Sequence, residues 1–372
     1  MSKVKIDIIS RVHIGSGEKL QYGSDFINFR EDGVNYIGIV SPRKIISLIG
    51  NSPQAVEAWI AAIERKKSVI DFMKAYASKA IIDDYCSRID QNSAAIKNTD
   101  TLQTFIHDGL GRPYIPGSSL KGSIRTAILA TLVNGSNGID GMIDRNPRKV
   151  NAKSIECHCL GNNPNEDAFR FLQVGDAYFG ECYENVVQLV NINERKQHSY
   201  WDISKPQLVE ILTSGDSSTC EIRIDRRGYE LARNSVHALP SCMTSLRNIF
   251  TTVNRHTKKL LTEEIDYWQE RVNKPNADRV DDYLDRLRDV MDKIQICEKS
   301  NGNSCLLRLG AGSGWRFITG GWTEGLECFD RTVVPAARRN NDRYVEYNFP
   351  KSRRVDNWCK LLGFVRLTLL ED

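Results

Sequence analysis

The stretches near the two ends of this sequence alternate with a period of two, and long stretches between them do not. VKIDII places Val4, Ile6 and Ile8 on one side and Lys5, Asp7 and Ile9 on the other, and GFVRLTLL near residue 370 reads as a strand of the same kind. Between them Val56, Ile60, Ile63, Ile70, Met73, Ala77 and Ile81 recur every three or four residues, which predicts one helical stripe over residues 53–82. Val280, Leu284, Leu287, Met291 and Ile294 predict a second long helix over about 278–299. Strands with helices inserted between them predict an α+β chain rather than a regularly alternating parallel one. Further strands are expected near 34–40, in FRFLQVGDAYF and NVVQLVNI, over 221–225 and in CLLRL. HIGSGEK reads as a glycine-bearing turn, the strand at 34–40 as the hairpin partner of the first, and the polar stretch running to Asp100 as a loop.

Length and composition exclude several classes. At 372 residues the chain holds two domains, or one with large insertions, and can bury a core without staples. With 41% hydrophobic and 26% charged residues it reads as globular, neither disordered nor collagenous. Its apolar runs fall short of the roughly 20 residues of a membrane span, and charged residues follow Met1. The expectation is a cytoplasmic protein without membrane contact. Ten scattered cysteines fit reduced thiols. Lys and Arg at 51 against Asp and Glu at 47 give only +4, so any nucleic-acid argument rests on where the charges lie.

The segment GRPYIPGSSLKGSIRTAILATL carries the most chemistry. A Pro116-Gly117 turn, an N-cap at Ser118 or Ser119 and an apolar face of Leu120, Ile124, Ala127 and Ile128 predict a helix start. Its free N–H groups, the two hydroxyls and the cations Lys121 and Arg125, four apart, suit a phosphate backbone. The alternative is a capped structural helix with solvated bases. In LGAGSGW, Gly310, Gly312 and Gly314 could let main-chain amides wrap phosphate. No Lys-Ser or Lys-Thr follows, and no helical pattern, so neither a Walker loop nor a dinucleotide fold is indicated. Residues 335–355 set Arg338, Arg339, Arg343, Lys351, Arg353 and Arg354 among Tyr344, Tyr347 and Phe349, pairing cations with rings as single-stranded RNA contact requires. Half-buried strand aromatics with solvated arginines are the rival reading. Arg255, His256, Lys258 and Lys259 form a lesser basic cluster. Cys157, His158, Cys159 and Cys182 match no common zinc spacing, and no metal or cofactor is expected. His13 could serve as a general base on an RNA 2′-hydroxyl, and His107-Asp108 is a second histidine–carboxylate neighbourhood, but neither completes a recognisable catalytic set.

Together SRVHIGSGEKL, YIPGSSLKGSIRTAIL, LRLGAGSGW and FPKSRRVDNWCKLLGFVRL resemble the RAMP superfamily of CRISPR RNA-binding proteins, and within it the family of fifth Csm subunits of type III-A effector complexes. The resemblance runs from the first strand to the last. It implies two RRM-like (ferredoxin-like) modules with helical insertions, expected at 1–200 and 201–372, the second holding the glycine-rich loop. It implies a non-catalytic subunit that binds crRNA near the 3′ end of the guide and supports its maturation, beside the Csm backbone and small subunits, with host nucleases for trimming. RNA contact carries over to Ser118, Ser119, Lys121, Arg125 and the loop 310–314. His13, Gly15 and Gly17 carry over only as a loop near RNA; Arg316, Arg338, Arg339, Lys351, Arg353 and Arg354 are expected to contact RNA on their charge and not on the resemblance. Catalysis does not carry over, because Asp25 is the only aspartate in 15–26 and its surroundings do not repeat the cleaving subunit's pattern. The alternative is a RAMP-family endoribonuclease cutting precursor crRNA with His13 as general base.

Overall fold

The computed structural model describes all residues except 1, 51, 66, 135, 137, 145–150, 181, 319, 339–348 and 372. Its strands begin with β1 (Ser2–Ile8), β2 (Gly15–Gln21), β3 (Phe26–Glu31), β4 (Val34–Val40), β5 (Cys86–Asn92), β6 (Thr101–Phe105) and β7 (Tyr114–Ile115). They continue with β8 (Leu172–Val174), β9 (Ala177–Tyr178), β10 (Glu184–Asn193), β11 (Trp201–Leu212), β12 (Ser217–Ile224), β13 (Ser304–Arg308), β14 (Ser352–Asp356) and β15 (Phe364–Glu371). The helices are α1 (Pro42–Ile49), α2 (Pro53–Glu64), α3 (Val69–Tyr76), α4 (Ile82–Tyr85) and α5 (Gly117–Asn134). Then come α6 (Lys153–Leu160), α7 (Arg226–Ala232), α8 (Leu246–Gln269), α9 (Val280–Glu298) and α10 (Val334–Ala337). None of the described helices is long and apolar enough to cross a membrane.

The alternation in β1 does what its period requires. Val4 and Ile6 are fully buried, while Asp7 turns outward to ion pairs with Lys5 and Arg366. β1 is the centre of an antiparallel sheet ordered β13-β15-β1-β12-β8. Leu120, Ile124 and Ile128 of α5 and Ile249, Phe250 and Val253 of α8 share one core with its inner face. Each such side chain contributes about 1.5–3 kcal/mol on leaving water. A second, mixed sheet runs β2-β6-β11-β10-β5-β4-β3, with β14 added against β10. Its β10–β5 and β11–β6 pairs are parallel. The α+β class is therefore present, with helices set against two sheets.

Several local expectations change. β4 does not pair with β1 but with β3, through Asp32 and Gly33 at φ 47° and 83°. Two left-handed residues in a two-residue loop tie adjacent strands, whereas both edges of β1 are taken by β12 and β15. HIGSGEK is not a turn. Gly15 opens β2, an edge strand exposed along most of its length. The polar run before Asp100 contains β5, whose Arg88 and Asp90 pair with each other. The helical stripe is broken: α2 ends at Glu64, and α3 starts beyond Ser68. Ala55, Trp59 and Ala62 form the buried face, with Trp59 packed on Phe72, and Ile60 and Ile63 face outward. The helix over 280–298 stands as expected. The expected halves at 1–200 and 201–372 interleave, since β1 lies between β12 and β15 and β10 pairs with both β11 and β14.

Candidate nucleic-acid interface

Helix α5 starts where the sequence places it but is capped differently. The Gly117 N–H donates to Asp176 Oδ1 at 2.7 Å, so a carboxylate from the β8–β9 link, rather than Ser118 or Ser119, caps the first turn. A Cβ at Gly117 would collide with the carbonyl of Val174, so this glycine serves close packing against β8 and is buried. The helix end is thus turned into the protein. Its outward chemistry begins one residue later. Ser118, Lys121, Gly122 and Arg125 line an open cleft of about 670 Å³ with Lys153, Glu156, Cys157, Asp167, Phe169 and Arg170.

Charge in that cleft is unevenly committed. Arg125 bonds Asp167 at 2.8 Å and Glu156 at 3.4 Å, and lies 5.2 Å from the centre of the Phe169 ring. Its position is fixed and its charge largely offset. Lys121 has no ion pair among the described residues; burial lowers its pKa, Asp167 opposes this, and Arg125 adds to it. With Lys153 and Arg170 it leaves the cleft a surplus of cations: four bases against Glu156 and Asp167.

The glycine-rich loop is tied from three directions. Gly310, Gly312 and Gly314 all have φ near +80°. The Ala311 N–H donates to the His13 carbonyl at 2.9 Å, and a Cβ on Gly310 would strike that same oxygen. Buried Arg308 donates to the carbonyls of Leu362 at 2.8 Å and Gly312 at 3.1 Å. Ser123 of α5 donates to the Arg308 carbonyl at 2.9 Å. HIGSG, SSLKGS and GAGSG, far apart in sequence, therefore meet at one place. The loop spends part of its hydrogen-bonding capacity on these neighbours, which is a structural role; Ala311 and Gly314 remain exposed.

His13 is 1% exposed, with its Nδ1–H donating to the Glu210 carbonyl at 2.6 Å. Burial holds its pKa below the ordinary value, against the pull of that bond. It is a packed strut under the glycine loop rather than a surface base, and Gly15 leaves room beside its ring. Gly17 lies open on β2 with φ 93°. Ser119 is half-buried in the first turn of α5.

The basic stretch divides. Arg339, Arg343, Tyr344 and Tyr347 lie outside the described residues. Arg353 is no surface cation: its guanidinium pairs with Glu264 inside the protein, with Nη2 2.9 Å from Oε2. Burial opposes the charge on Arg353, and Glu264 more than offsets that, raising its pKa. Arg354, on the opposite face of β14, reaches Gln207 and Asn191 instead. Arg316 is held by Glu324 at 2.7 Å and Glu263 at 3.5 Å. Arg338 lies 5.9 Å from the ring centre of Phe349, which packs on Trp315 just past the glycine loop. Lys351 stands half-buried ahead of β14, its carbonyl accepting the Glu194 N–H. In the lesser cluster Lys258 pairs with Glu298, Lys259 lies 3.9 Å from Glu263, and His256 has a buried ring nitrogen without a partner. Asp25 accepts the Gln21 N–H in a turn. Asp108 pairs with Arg112, while His107 turns to Glu184. Cys157 lines the cleft, Cys159 is buried, and Cys182 lies apart near Glu184.

The sequence reading missed Lys153, Asp167, Phe169 and Arg170. They fall in or beside a stretch without periodicity, and only the fold brings them to α5.

A model of the RAMP superfamily matches residues 5–317. The chain belongs to the RAMP superfamily. This RAMP chain is 26% identical over 186 residues to the CRISPR system Cms protein Csm5 of Streptococcus thermophilus, a match covering 47% of the chain and 51% of the relative. It thus spans about half the length of that curated relative. A solved structure of a Csm–crRNA–target RNA ternary complex in a type III-A CRISPR-Cas system contains a similar chain: TM-score 0.66, 17% identity, covering 99% of this chain and 100% of that one. Csm5 of T. onnurineus superposes with a TM-score of 0.57 at 18% identity, over 97% and 99% of the two chains. These likenesses establish a shared fold.

Proposed function

We propose that this RAMP chain is the fifth Csm-type subunit of a type III-A effector complex. In this reading it holds guide RNA near its 3′ end without cutting it, beside the backbone and small subunits, and leaves trimming of the guide to nucleases of the host. The observation that carries the reading is the convergence of HIGSG, SSLKGS and GAGSG beside a cleft with surplus cations. Such a surface grips phosphates by charge and main-chain donors and is indifferent to base identity, as a protein accepting any guide sequence requires. The relatives named for Csm and crRNA support the same partner class. Burial of His13 supports a holding rather than a cutting role.

The test is fluorescence anisotropy of the full chain with end-labelled single-stranded RNA across a salt series. Lys121→Ala with Lys153→Ala is expected to weaken binding and flatten the log K against log salt slope by about 1.4, roughly 0.7 for each lost phosphate contact. An unchanged slope overturns the site. RNA cleavage that disappears in His13→Ala overturns the non-catalytic assignment. For the position on the guide, a reconstituted complex lacking this chain should yield guides with altered 3′ ends and unaltered 5′ ends; sequencing that finds both ends unchanged refutes it.

A further inference from the structure

We propose that His107, Glu184 and Glu210 form a binding site for a single divalent transition-metal cation that clamps β10 and β11 to the segment following β6. One ligand atom from each residue lies within 4.8 Å of the others. The Glu210 side chain is 0% exposed, Glu184 7% and His107 12%, so this is an interior cluster rather than a solvated acidic surface.

Hydrogen bonding shows what the centre lacks. His107 Nδ1 is 2.9 Å from the Phe105 carbonyl, which can only accept, so Nδ1 carries the proton. Nε2 then points at both oxygens of Glu184, at 3.0 and 2.9 Å. Nε2 and the two carboxylate oxygens face one another across a gap that either a shared proton or a bound cation fills. Glu210 uses one oxygen toward Arg88 and the other to accept the Phe105 N–H at 2.7 Å, and both keep lone pairs in reserve. Around the centre Asp90, Glu184 and Glu210 supply three carboxylates, against the guanidinium of Arg88 and the His107 imidazole.

A proton on His107 would serve the His107–Glu184 pair alone, whereas Glu210, which already accepts from Arg88 and the Phe105 N–H, has lone pairs left to offer a bound ion. A divalent ion satisfies all three residues. An imidazole with its second nitrogen on a backbone carbonyl is the arrangement that fixes a metal ligand's tautomer. One nitrogen and carboxylate oxygens, without thiolate, suit Zn2+ or Mn2+. The site is structural in consequence. Glu210 also carries the carbonyl that holds His13, and His13 supports the glycine loop.

The experiment uses the full chain, stripped by chelator and titrated with Zn2+ and with Mn2+. The expected result is saturable binding of one ion per chain by elemental analysis, a rise in Tm, and immobilised Mn2+ in the paramagnetic resonance spectrum. Glu184→Gln and His107→Gln should each abolish all three, with far-UV circular dichroism confirming that the variants fold. If they do not fold, an anomalous-scattering peak in crystals of the Zn2+-loaded wild type decides. A peak between His107 and Glu184 supports the site, and its absence refutes it. No saturable binding, or binding retained in both variants, overturns the proposal and leaves a proton-bridged ion pair. Neither result depends on RNA affinity, so the RNA-holding role stands or falls separately.

Discussion

Replacing Arg353 by Met should damage the fold and not the RNA affinity of the folded chain. Arg353 enters from β14 and meets Glu264 of α8, whose Oε1 also accepts from Trp268 at 2.8 Å and Tyr283 at 3.0 Å. Removing the guanidinium leaves a carboxylate deep in the protein with two neutral donors. Breaking a buried pair from one side costs about 3–5 kcal/mol. That is about a fifth or more of the roughly 5–15 kcal/mol by which native proteins are stable. With a urea dependence of about 3 kcal/mol per M, the unfolding midpoint should fall by about 1 M or more. Tryptophan fluorescence and far-UV circular dichroism should report the same shift. Glu264→Leu with Arg353→Met should recover most of the loss, because the orphaned charge goes with it. Acid adds a signature. Burial alone raises the pKa of Glu264, and Arg353 more than offsets this, leaving it below the ordinary value. The pair's contribution is therefore complete above the ordinary glutamate range and disappears as pH falls through the lowered value. In Arg353→Met only the Trp268 bond and the more distant Arg316 charge oppose burial, so stability should instead decline as pH rises from the ordinary glutamate value toward a raised one. A wild-type midpoint in Arg353→Met, combined with weakened RNA binding, would refute the reasoning and return Arg353 to the surface.

Gly310→Ala should cost about 1–2 kcal/mol from its left-handed backbone, more if the His13 carbonyl cannot yield, and should loosen RNA binding; thermal melts and anisotropy check both. His256 is held to about 4 by burial and then by Lys259, so the fold should lose about 3 kcal/mol as pH falls from 6.5 to 4. His256→Phe should flatten that part of a pH–stability curve, and an unaltered slope would exclude the histidine as its source. Alkylation at pH 8 should modify Cys157 before Cys86, Cys220 and Cys359, whose thiols burial pushes up to about 12. Bound RNA should protect Cys157, because it lines the cleft, and peptide mass mapping with and without RNA reads this directly.

What could be read from sequence was local. The stripe of α9, the alternation of β1 and the start of α5 depend on neighbours within a few residues, and each is where the pattern places it. Helix α8 left a usable signal: Ser245 as cap, then Leu246, Ile249, Phe250, Val253 and Leu260 at helical spacing. β2 and β5 left almost none, since GSGEKLQ has little to bury and CSRIDQN buries a charge pair in place of an apolar face. At the candidate site the motif residues were visible, but their commitments were not. Nothing near Arg125 announces Asp167, and nothing near Arg353 announces Glu264, 89 residues away. Clustered arginines look alike in sequence whether they meet water or a buried carboxylate.

The placement of β1 also orders events during synthesis. One of its edges waits for β15, and the Phe364 N–H closes on Ser10 across 354 residues. A ribosome that has made only the first two hundred residues holds a chain whose founding strand has neither neighbour, since β12 and β15 both lie further on. The α5 face and the glycine loop, which depend on that strand, come together only after nearly everything has emerged. Stalled or truncated products should therefore expose sticky strand edges instead of a half-competent RNA grip, and belong to chaperones and proteases before they can join any particle.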